Sequence, residues 1–195
     1  MLHRTVTRAL IGAGAIALSV TVLPTANASP APAPDLAPLA ITTLYYDDSQ
    51  AAEFKSAVAA GAQSWNSSVQ NVRLVKAASG APAEIRVIAD DGWPRATLGP
   101  VRPGGRVTVW FGRQAVNEGY NTTRIAAHEL GHSLGLPDRK PGPCSSLMSG
   151  STGGVSCANA TPNASERATV ESRYASVPSA ARDARSGGVV VVDAP

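Results

Sequence analysis

Two histidines and a glutamate stand at a spacing that suits metal chemistry on a helix. His128 and His132 are four residues apart, so both imidazoles lie on one helix face, about one turn apart. Neutral imidazole is a favoured nitrogen ligand for zinc. Glu129 follows the first histidine, where its carboxylate can contact a water bound to the metal. A bare H-E-x-x-H pattern also occurs by chance, as two surface histidines and a solvated glutamate.

The pattern extends to a third candidate ligand, Asp138. Gly135 can adopt the positive φ that ends a helix and reverses the backbone, and Pro137 prevents the helix from resuming. The aspartate then returns toward the ion, which gives H-E-x-x-H-x-x-G-x-x-D over residues 128–138. The other histidine, His3, lies in a predicted leader, which excludes a three-histidine site in the mature chain. Two imidazoles, one carboxylate and an open position are typical of a catalytic zinc site, with the glutamate as general base.

Strands and helices around the motif must position these side chains. Apolar periodicity predicts helices over residues 50–64 and 164–176, and the motif helix begins at residues 120–123. Residues 47–49 are predicted to form a turn and a helix cap. Four strands are predicted, over residues 41–46, 71–75, 83–89 and 106–111, with residues 92–105 and 137–162 mostly irregular. This order indicates an α+β domain whose helices pack on one twisted sheet.

The beginning of the chain is typical of an exported protein. A basic start precedes an apolar run over residues 9–23, and an A-x-A cleavage site follows, so residues 1–28 are predicted to be a signal peptide. The run is too short and too rich in small residues for a transmembrane anchor. The remaining predicted divisions are a propeptide or linker (29–41), one zinc-binding domain (42–176) and a tail of unknown role (177–195), which we expect to be mobile or lost to proteolysis.

Composition and the two cysteines limit the function classes further. The chain has 195 residues, 44% hydrophobic and 16% charged, with a net charge of +3, which suits one globular domain. A dense Lys/Arg stripe is lacking, so nucleic acid is not an expected partner. Cys144 and Cys157 lie in the exported part, where one disulfide is the simplest outcome and thiolate ligation of zinc is the alternative. Between them Met148 is either core filler or the methionine turn beneath an extended zinc motif.

Taken together, these motifs resemble the snapalysin family of small secreted neutral metalloproteases. The resemblance covers roughly residues 42–175, and its specific mark is an aspartate in place of a third histidine. It implies a single zincin-like or metzincin-like domain, in which a twisted, mostly parallel small sheet with an antiparallel edge strand packs on two or three helices. It also implies one zinc, one disulfide, a zymogen with a prepropeptide, and preference for aromatic residues after the cleaved bond. The matching segments are residues 63–72, 128–138, 142–144, 147–150, 157 and 163–167.

Two positions depart from the family pattern. Family members carry a tyrosine shortly after the aspartate ligand, suited to stabilising an oxyanion. Here Arg139, Lys140 and Pro141 follow, so that role is either lost or taken by Lys140 or Arg139. The resemblance also implies a calcium site, at positions that Asn121 and Thr123 occupy here. Because a carboxylate is missing, we expect this site to be weakened, and Asn121 is equally typical of a helix N-cap.

The leading functional prediction is a secreted zinc endopeptidase in which Glu129 acts as general base on a metal-activated water. We expect protein or peptide substrates, bound by strand addition along residues 106–111 as the candidate edge strand. We expect a monomer, with no membrane partner after processing. The alternatives are a zinc-holding binding protein without catalysis, which would not need Glu129, and another zinc hydrolase such as a cell-wall amidase.

Overall fold

The structure is a computed structural model that describes residues 41–175 and 188–195. The predicted signal peptide, almost all of the predicted propeptide or linker, residue 176 of the predicted domain and residues 177–187 of the predicted tail lie outside the described residues. Within the described part, no helix is both long and apolar enough to cross a membrane.

Six strands form one sheet in the order β2-β1-β3-β5-β4-β6. The first four in this order run parallel, whereas β4 is antiparallel to both β5 and β6. The predicted mostly parallel sheet with an antiparallel strand toward one edge is therefore confirmed. The strands are β1 (Thr42–Gln50), β2 (Val72–Lys76), β3 (Ile85–Asp90), β4 (Arg95–Thr97), β5 (Val107–Gly112) and β6 (Val190–Val192).

In the described residues, four α-helices accompany the sheet: α1 (Lys55–Asn66), α2 (Arg113–Asn117), α3 (Thr122–Ser133) and α4 (Ala164–Tyr174). Helix α1 lies directly against α3, because Gly61 leaves no room for even one methyl group beside the Ala126–Ala127 backbone. Trp65, fully buried, donates from its indole Nε1 to Ala127 O at 2.8 Å. These two contacts anchor the helix that holds the H-E-x-x-H motif.

Three local predictions differ from the structure. Strand β5, predicted as the edge, is interior, because a three-residue strand, β4, forms within the Gly/Pro-rich segment predicted as loop. Residues 47–49 continue β1 rather than turning, and Asp48 is accommodated there by an ion pair with Lys76 Nζ at 2.9 Å. The tail, left unassigned from sequence, contains β6 in its described part.

Candidate active site

Helix α3 has a defined beginning and end. Asn121 is its N-cap, and the Asn121 side chain accepts a hydrogen bond from Arg124 N at 2.9 Å. At the other end Gly135 takes φ +99°, Gly135 N donates to His132 O, and Leu136 N donates to Gly131 O. This pair of bonds is a Schellman motif. It turns the chain back along the helix, as the positions of Gly135 and Pro137 predicted.

The turn brings three side chains of the motif together. Asp138 Oδ1 lies 3.2 Å from His128 Nε2 and 3.4 Å from His132 Nε2. Both imidazoles are fully buried, and the Asp138 side chain is 22% exposed. The three predicted ligand positions therefore converge at one point. This point is enclosed on the side of the two histidines and reaches solvent at Asp138.

Each imidazole is oriented by a backbone carbonyl. His128 Nδ1 lies 3.0 Å from Leu147 O, and His132 Nδ1 lies 2.7 Å from Leu136 O. A carbonyl oxygen only accepts, so each Nδ1 carries a proton, and in the neutral ring Nε2 presents its lone pair to a metal. Such carbonyl partners on the far ring nitrogen are typical of metal-ligating histidines.

Within the described residues, the atoms at the convergence have no hydrogen-bond partner. His128 Nε2, His132 Nε2, Asp138 Oδ1 and both carboxylate oxygens of Glu129 are buried and accept or donate no hydrogen bond within the described residues. Leaving so many buried polar atoms unsatisfied is costly without a ligand. Ligand atoms at zinc distances on a tetrahedron lie about 3.3–3.4 Å apart, which is close to the separations of 3.2 and 3.4 Å found here. The donor set and its spacing fit a tetrahedral zinc ion.

The electrostatics of the cluster also favour a cation. Burial tends to lower the pKa of His128, but the carboxylates of Asp138, Asp193 and Glu129 raise it to about 9. Burial tends to raise the pKa of Asp138, but the two neighbouring imidazoles hold it well below its usual range. Burial raises the pKa of Glu129 well above its usual value. Three carboxylates around two imidazoles thus stabilise positive charge at this point.

Met148 packs against the motif helix at Gly131, in a segment that we call the Met148 loop (residues 144–157). Its sulfur is so close to Gly131 that a methyl group there would collide with it. Cys144 and Cys157 close the loop through the predicted disulfide, with their Cα atoms 5.6 Å apart. Neither sulfur is therefore free to ligate a metal as a thiolate.

Two buried charged side chains, which the sequence analysis missed, hold the Met148 loop in place. Arg124 donates from Nη2 to Ser146 O, Ser149 Oγ and Gly150 O at 3.0–3.2 Å. Glu166 accepts from Ser146 Oγ and from the backbone N–H groups of Leu147 and Met148 at 2.7–3.2 Å. Glu166 also closes a capping box with Asn163, and the N-x-x-E spacing was the signal that could have drawn attention to it.

A third acidic side chain, also missed, reaches the cluster from the tail. Asp193 is 5% exposed, and its Oδ1 lies 3.9 Å from His128 Nε2 and 2.5 Å from Lys140 Nζ. Ligand atoms of His128, Glu129 and Asp193 all lie within 4.8 Å of one another, as do those of the three predicted ligands. The apolar run before Asp193 is typical of a strand, but nothing in it indicates where that strand pairs.

The calcium prediction gains no support from the described residues. The Asn121 side chain accepts the bond that caps α3. Among the described residues, groups of three acidic, histidine or cysteine side chains close enough to hold a metal ion occur only at the H-E-x-x-H site. A site at Asn121 and Thr123 stays a prediction from the resemblance.

Comparison with known proteins identifies the family. Residues 40–177 match the family described as Streptomyces extracellular neutral proteinase (M7). The chain belongs to this family. The predicted resemblance to snapalysins is thereby confirmed.

Curated relatives cover most of the described domain. An extracellular small neutral protease of Streptomyces sp. (strain C5) is 43% identical over 144 residues, 74% of this chain and 61% of its own. The protein of the same description from Streptomyces lividans is 41% identical over 136 residues, 70% of this chain and 58% of its own. That from Streptomyces caespitosus is 42% identical over 133 residues, which are 68% of this chain and 97% of its own. The chain thus spans about three fifths of the first two relatives and nearly all of the third.

Among solved structures, similarity is found to high choriolytic enzyme 1, a hatching enzyme zinc-protease from Oryzias latipes. The match has a TM-score of 0.37 and 21% identity, and covers 50% of this chain and 46% of that one. Because this similarity is low, it has no weight for fold or function.

Proposed function

We propose that this chain is a secreted zinc endopeptidase that hydrolyses peptide bonds with Glu129 as general base. This proposal depends on one observation. Within the described residues, the ligand atoms of His128, His132 and Asp138 converge without a hydrogen-bond partner. The buried carboxylate of Glu129 beside them has no hydrogen-bond partner either. Membership of a family of extracellular neutral proteinases supports protein or peptide substrates and an extracellular location.

His128, His132 and Asp138 would hold the zinc. When bound, zinc acts as a Lewis acid that lowers the pKa of a water molecule and polarises the scissile carbonyl. The backbone carbonyls of Leu147 and Leu136 keep both Nε2 atoms turned toward the ion. Asp138 supplies the negative charge that two neutral imidazoles lack.

Glu129 is suited to proton transfer rather than to ligation or structure. Its carboxylate is fully buried, accepts no hydrogen bond from the described residues, and lies on the same helix turn as His128. A carboxylate in this position accepts the proton of the attacking water and delivers it to the leaving amine. Burial raises the pKa of Glu129, which makes it a stronger base than a solvated glutamate.

Of the two candidates for the missing tyrosine, Lys140 is the better supported. Its ammonium lies 3.9 Å from Asp138 Oδ2 and contacts the carboxylate of Asp193. Arg139 is instead tied to the Met148 loop, because its backbone N donates to Met148 O at 2.7 Å. We infer that Lys140 stabilises negative charge that develops on the scissile carbonyl oxygen.

An extended substrate would pair with β4, not with β5. Strand β5 lies between β3 and β4, whereas β4 lies one strand from the edge of the sheet, with only β6 beyond it. Strand addition fixes a peptide by backbone hydrogen bonds, and it leaves the side-chain preference to nearby pockets. The preference for aromatic residues after the cleaved bond, implied by the family resemblance, remains part of this proposal. So do processing from a zymogen and a monomeric state.

The test is hydrolysis of casein by the zinc-loaded protein, with and without a chelator, in parallel with Glu129→Gln. We expect chelation to abolish activity, and E129Q to retain stoichiometric zinc while losing roughly 10²–10⁴-fold in kcat. Glu118→Gln, which alters an exposed glutamate, is the matched control and should be unaffected. Near-normal activity in zinc-loaded E129Q would refute the general-base assignment. Cleavage of peptidoglycan but not casein would instead favour an amidase.

A further inference from the structure

The tail segment, residues 188–195, occupies the edge of β4. Strand β6 pairs with β4 antiparallel, with Ala96 opposite Val191 and Thr97 opposite Val190. Leu98 N donates to Val189 O at 2.7 Å, and Asp193 N donates to Pro94 O at 2.9 Å. The tail segment therefore takes the place along β4 at which an extended peptide would add to the sheet.

The same segment inserts a carboxylate into the site. Asp193 Oδ1 accepts from Ser151 N at 3.0 Å and lies 2.5 Å from Lys140 Nζ. Lys140 Nζ also donates to Ala194 O at 2.7 Å, so one lysine contacts the tail twice. Gly150, at φ +52°, makes room, since a Cβ there would collide with the Asp193 carboxylate.

Apolar burial contributes little to holding the tail segment. Val189, Val190 and Val192 are 61%, 43% and 48% exposed. Stabilisation by apolar burial scales with the area removed from water, so these side chains add little. Backbone pairing with β4 and the polar contacts of Asp193 remain, and both are interactions that a substrate or water can replace.

The segment is also outside the part of the chain that matches the family. The match ends at residue 177, and the site residues from His128 to Met148 all precede that point. The tail segment is therefore an addition to the matched domain, and its contacts with the site need an explanation of their own.

We propose that the tail segment is an intramolecular inhibitor of the proposed protease, in which Asp193 is a fourth protein ligand of the zinc. This rests on the proposed function, because it assigns a mode of regulation to that same site. With the segment in place, β4 has no free edge, the open position at the metal is filled, and the charge of Lys140 is neutralised. Displacement of the segment restores the free edge of β4, the open position at the metal and the charge of Lys140 together.

Tethering makes such inhibition effective even when the segment binds weakly. A segment tethered to its own binding site acts at an effective concentration on the order of millimolar. A peptide that binds in trans with a Kd of about 0.1 mM would then occupy the cleft roughly ten times as often as not. We therefore expect Asp193→Ala to raise kcat/KM on short peptides about tenfold.

The test compares the full chain, with its tail verified as intact by mass spectrometry, with Asp193→Ala and with Val190→Ala as a control in the same strand. Each protein is loaded with Co²⁺, whose visible absorption reports the number and type of its ligands. Hydrogen exchange is measured at the amides of Leu98 and of position 193. Peptide cleavage is measured on the zinc forms, and a synthetic peptide of residues 188–195 is added to D193A in trans.

We expect D193A alone to change the Co²⁺ spectrum, to exchange faster at both amides and to be inhibited by the peptide, more strongly than by its Asp193→Asn analogue. A D193A protein with the wild-type spectrum and wild-type kcat/KM overturns the proposal and leaves the protease function intact. Loss of metal from D193A also overturns it, since Asp193 would then be a permanent ligand. If no variant cleaves peptides but D193A alone alters the spectrum and frees β4, the protease function fails and the ligation by Asp193 stands.

Discussion

Two regions bring a carboxylate to His128, and they are held in different ways. Asp138 arrives directly after α3, over a Schellman turn, and the adjoining Met148 loop is fastened by Arg124, Glu166 and a disulfide. Asp193 arrives from the tail segment, which is held by pairing with a three-residue strand and has exposed valines.

The difference shows that distance to a metal position does not by itself define a ligand's role. The two carboxylates lie 3.2 and 3.9 Å from the same imidazole nitrogen. The first adjoins a loop that buried hydrogen bonds and a disulfide hold in place, whereas the second belongs to an element with few buried apolar contacts. Elements of the second kind open at low free energy, which is what a removable inhibitor requires.

Removing each carboxylate in turn tests this difference most directly, and it has the largest expected effect. Asp138→Ala should weaken zinc binding by more than about 100-fold, since it removes one of three permanent ligands. Asp193→Ala should keep stoichiometric zinc. Elemental analysis after dialysis, followed by competition with a chelator, measures both. Equal losses in the two variants would mean that both aspartates belong to one permanent site.

Removing the disulfide tests whether the Met148 loop is stabilised independently of the metal. Replacing Cys144 and Cys157 by serine should lower the free energy of unfolding by about 3 kcal/mol, as expected for a loop of this length. The folded fraction should keep its zinc, because the sulfurs are bonded to each other. Denaturant unfolding and zinc per folded protein are measured together. Unchanged unfolding with lost zinc would contradict this prediction.

The same contrast explains how much of the site could be predicted. His128, His132 and Asp138 lie within one helix and one turn, so spacing and the positive φ of Gly135 were enough to bring their atoms together. The mostly parallel sheet followed from the family resemblance. Met148 was found by its position after the motif, and the Cys144–Cys157 disulfide by the oxidising compartment that the leader implies.

The remaining features depend on pairings between distant segments. Strand β4 is short and lies among Gly and Pro residues, and it exists because β5 and β6 pair with it on either side. Asp193 reaches the site only through that pairing. Asp48 was predicted in a turn because local propensity was considered without its partner, Lys76 on β2. Long-range partners override local propensity at each of these places.

Replacing Glu166 has the smallest expected effect of these changes, and it tests directly how the Met148 loop is held in place. Its carboxylate accepts from Ser146 Oγ, Leu147 N and Met148 N in a fully desolvated position. Glu166→Gln keeps the shape but replaces one acceptor oxygen by a donor, so at least one buried N–H loses its partner. The expected cost is about 1–3 kcal/mol of unfolding free energy.

The control for this variant lies on the same helix. Glu171 accepts from Gln70 N and Asn71 N, outside the site and closer to solvent, so Glu171→Gln should cost less. Because Leu147 O orients His128, E166Q should also lower activity per bound zinc, whereas E171Q should not. Hydrogen exchange in the tail segment should be the same in both variants, since E166Q acts at Ser146, Leu147 and Met148 and leaves the tail's contacts with β4, Ser151 and Lys140 in place. A tail released by E166Q would mean that the two regions form one cooperative unit, and that the inhibitor cannot leave without disturbing the metal ligands.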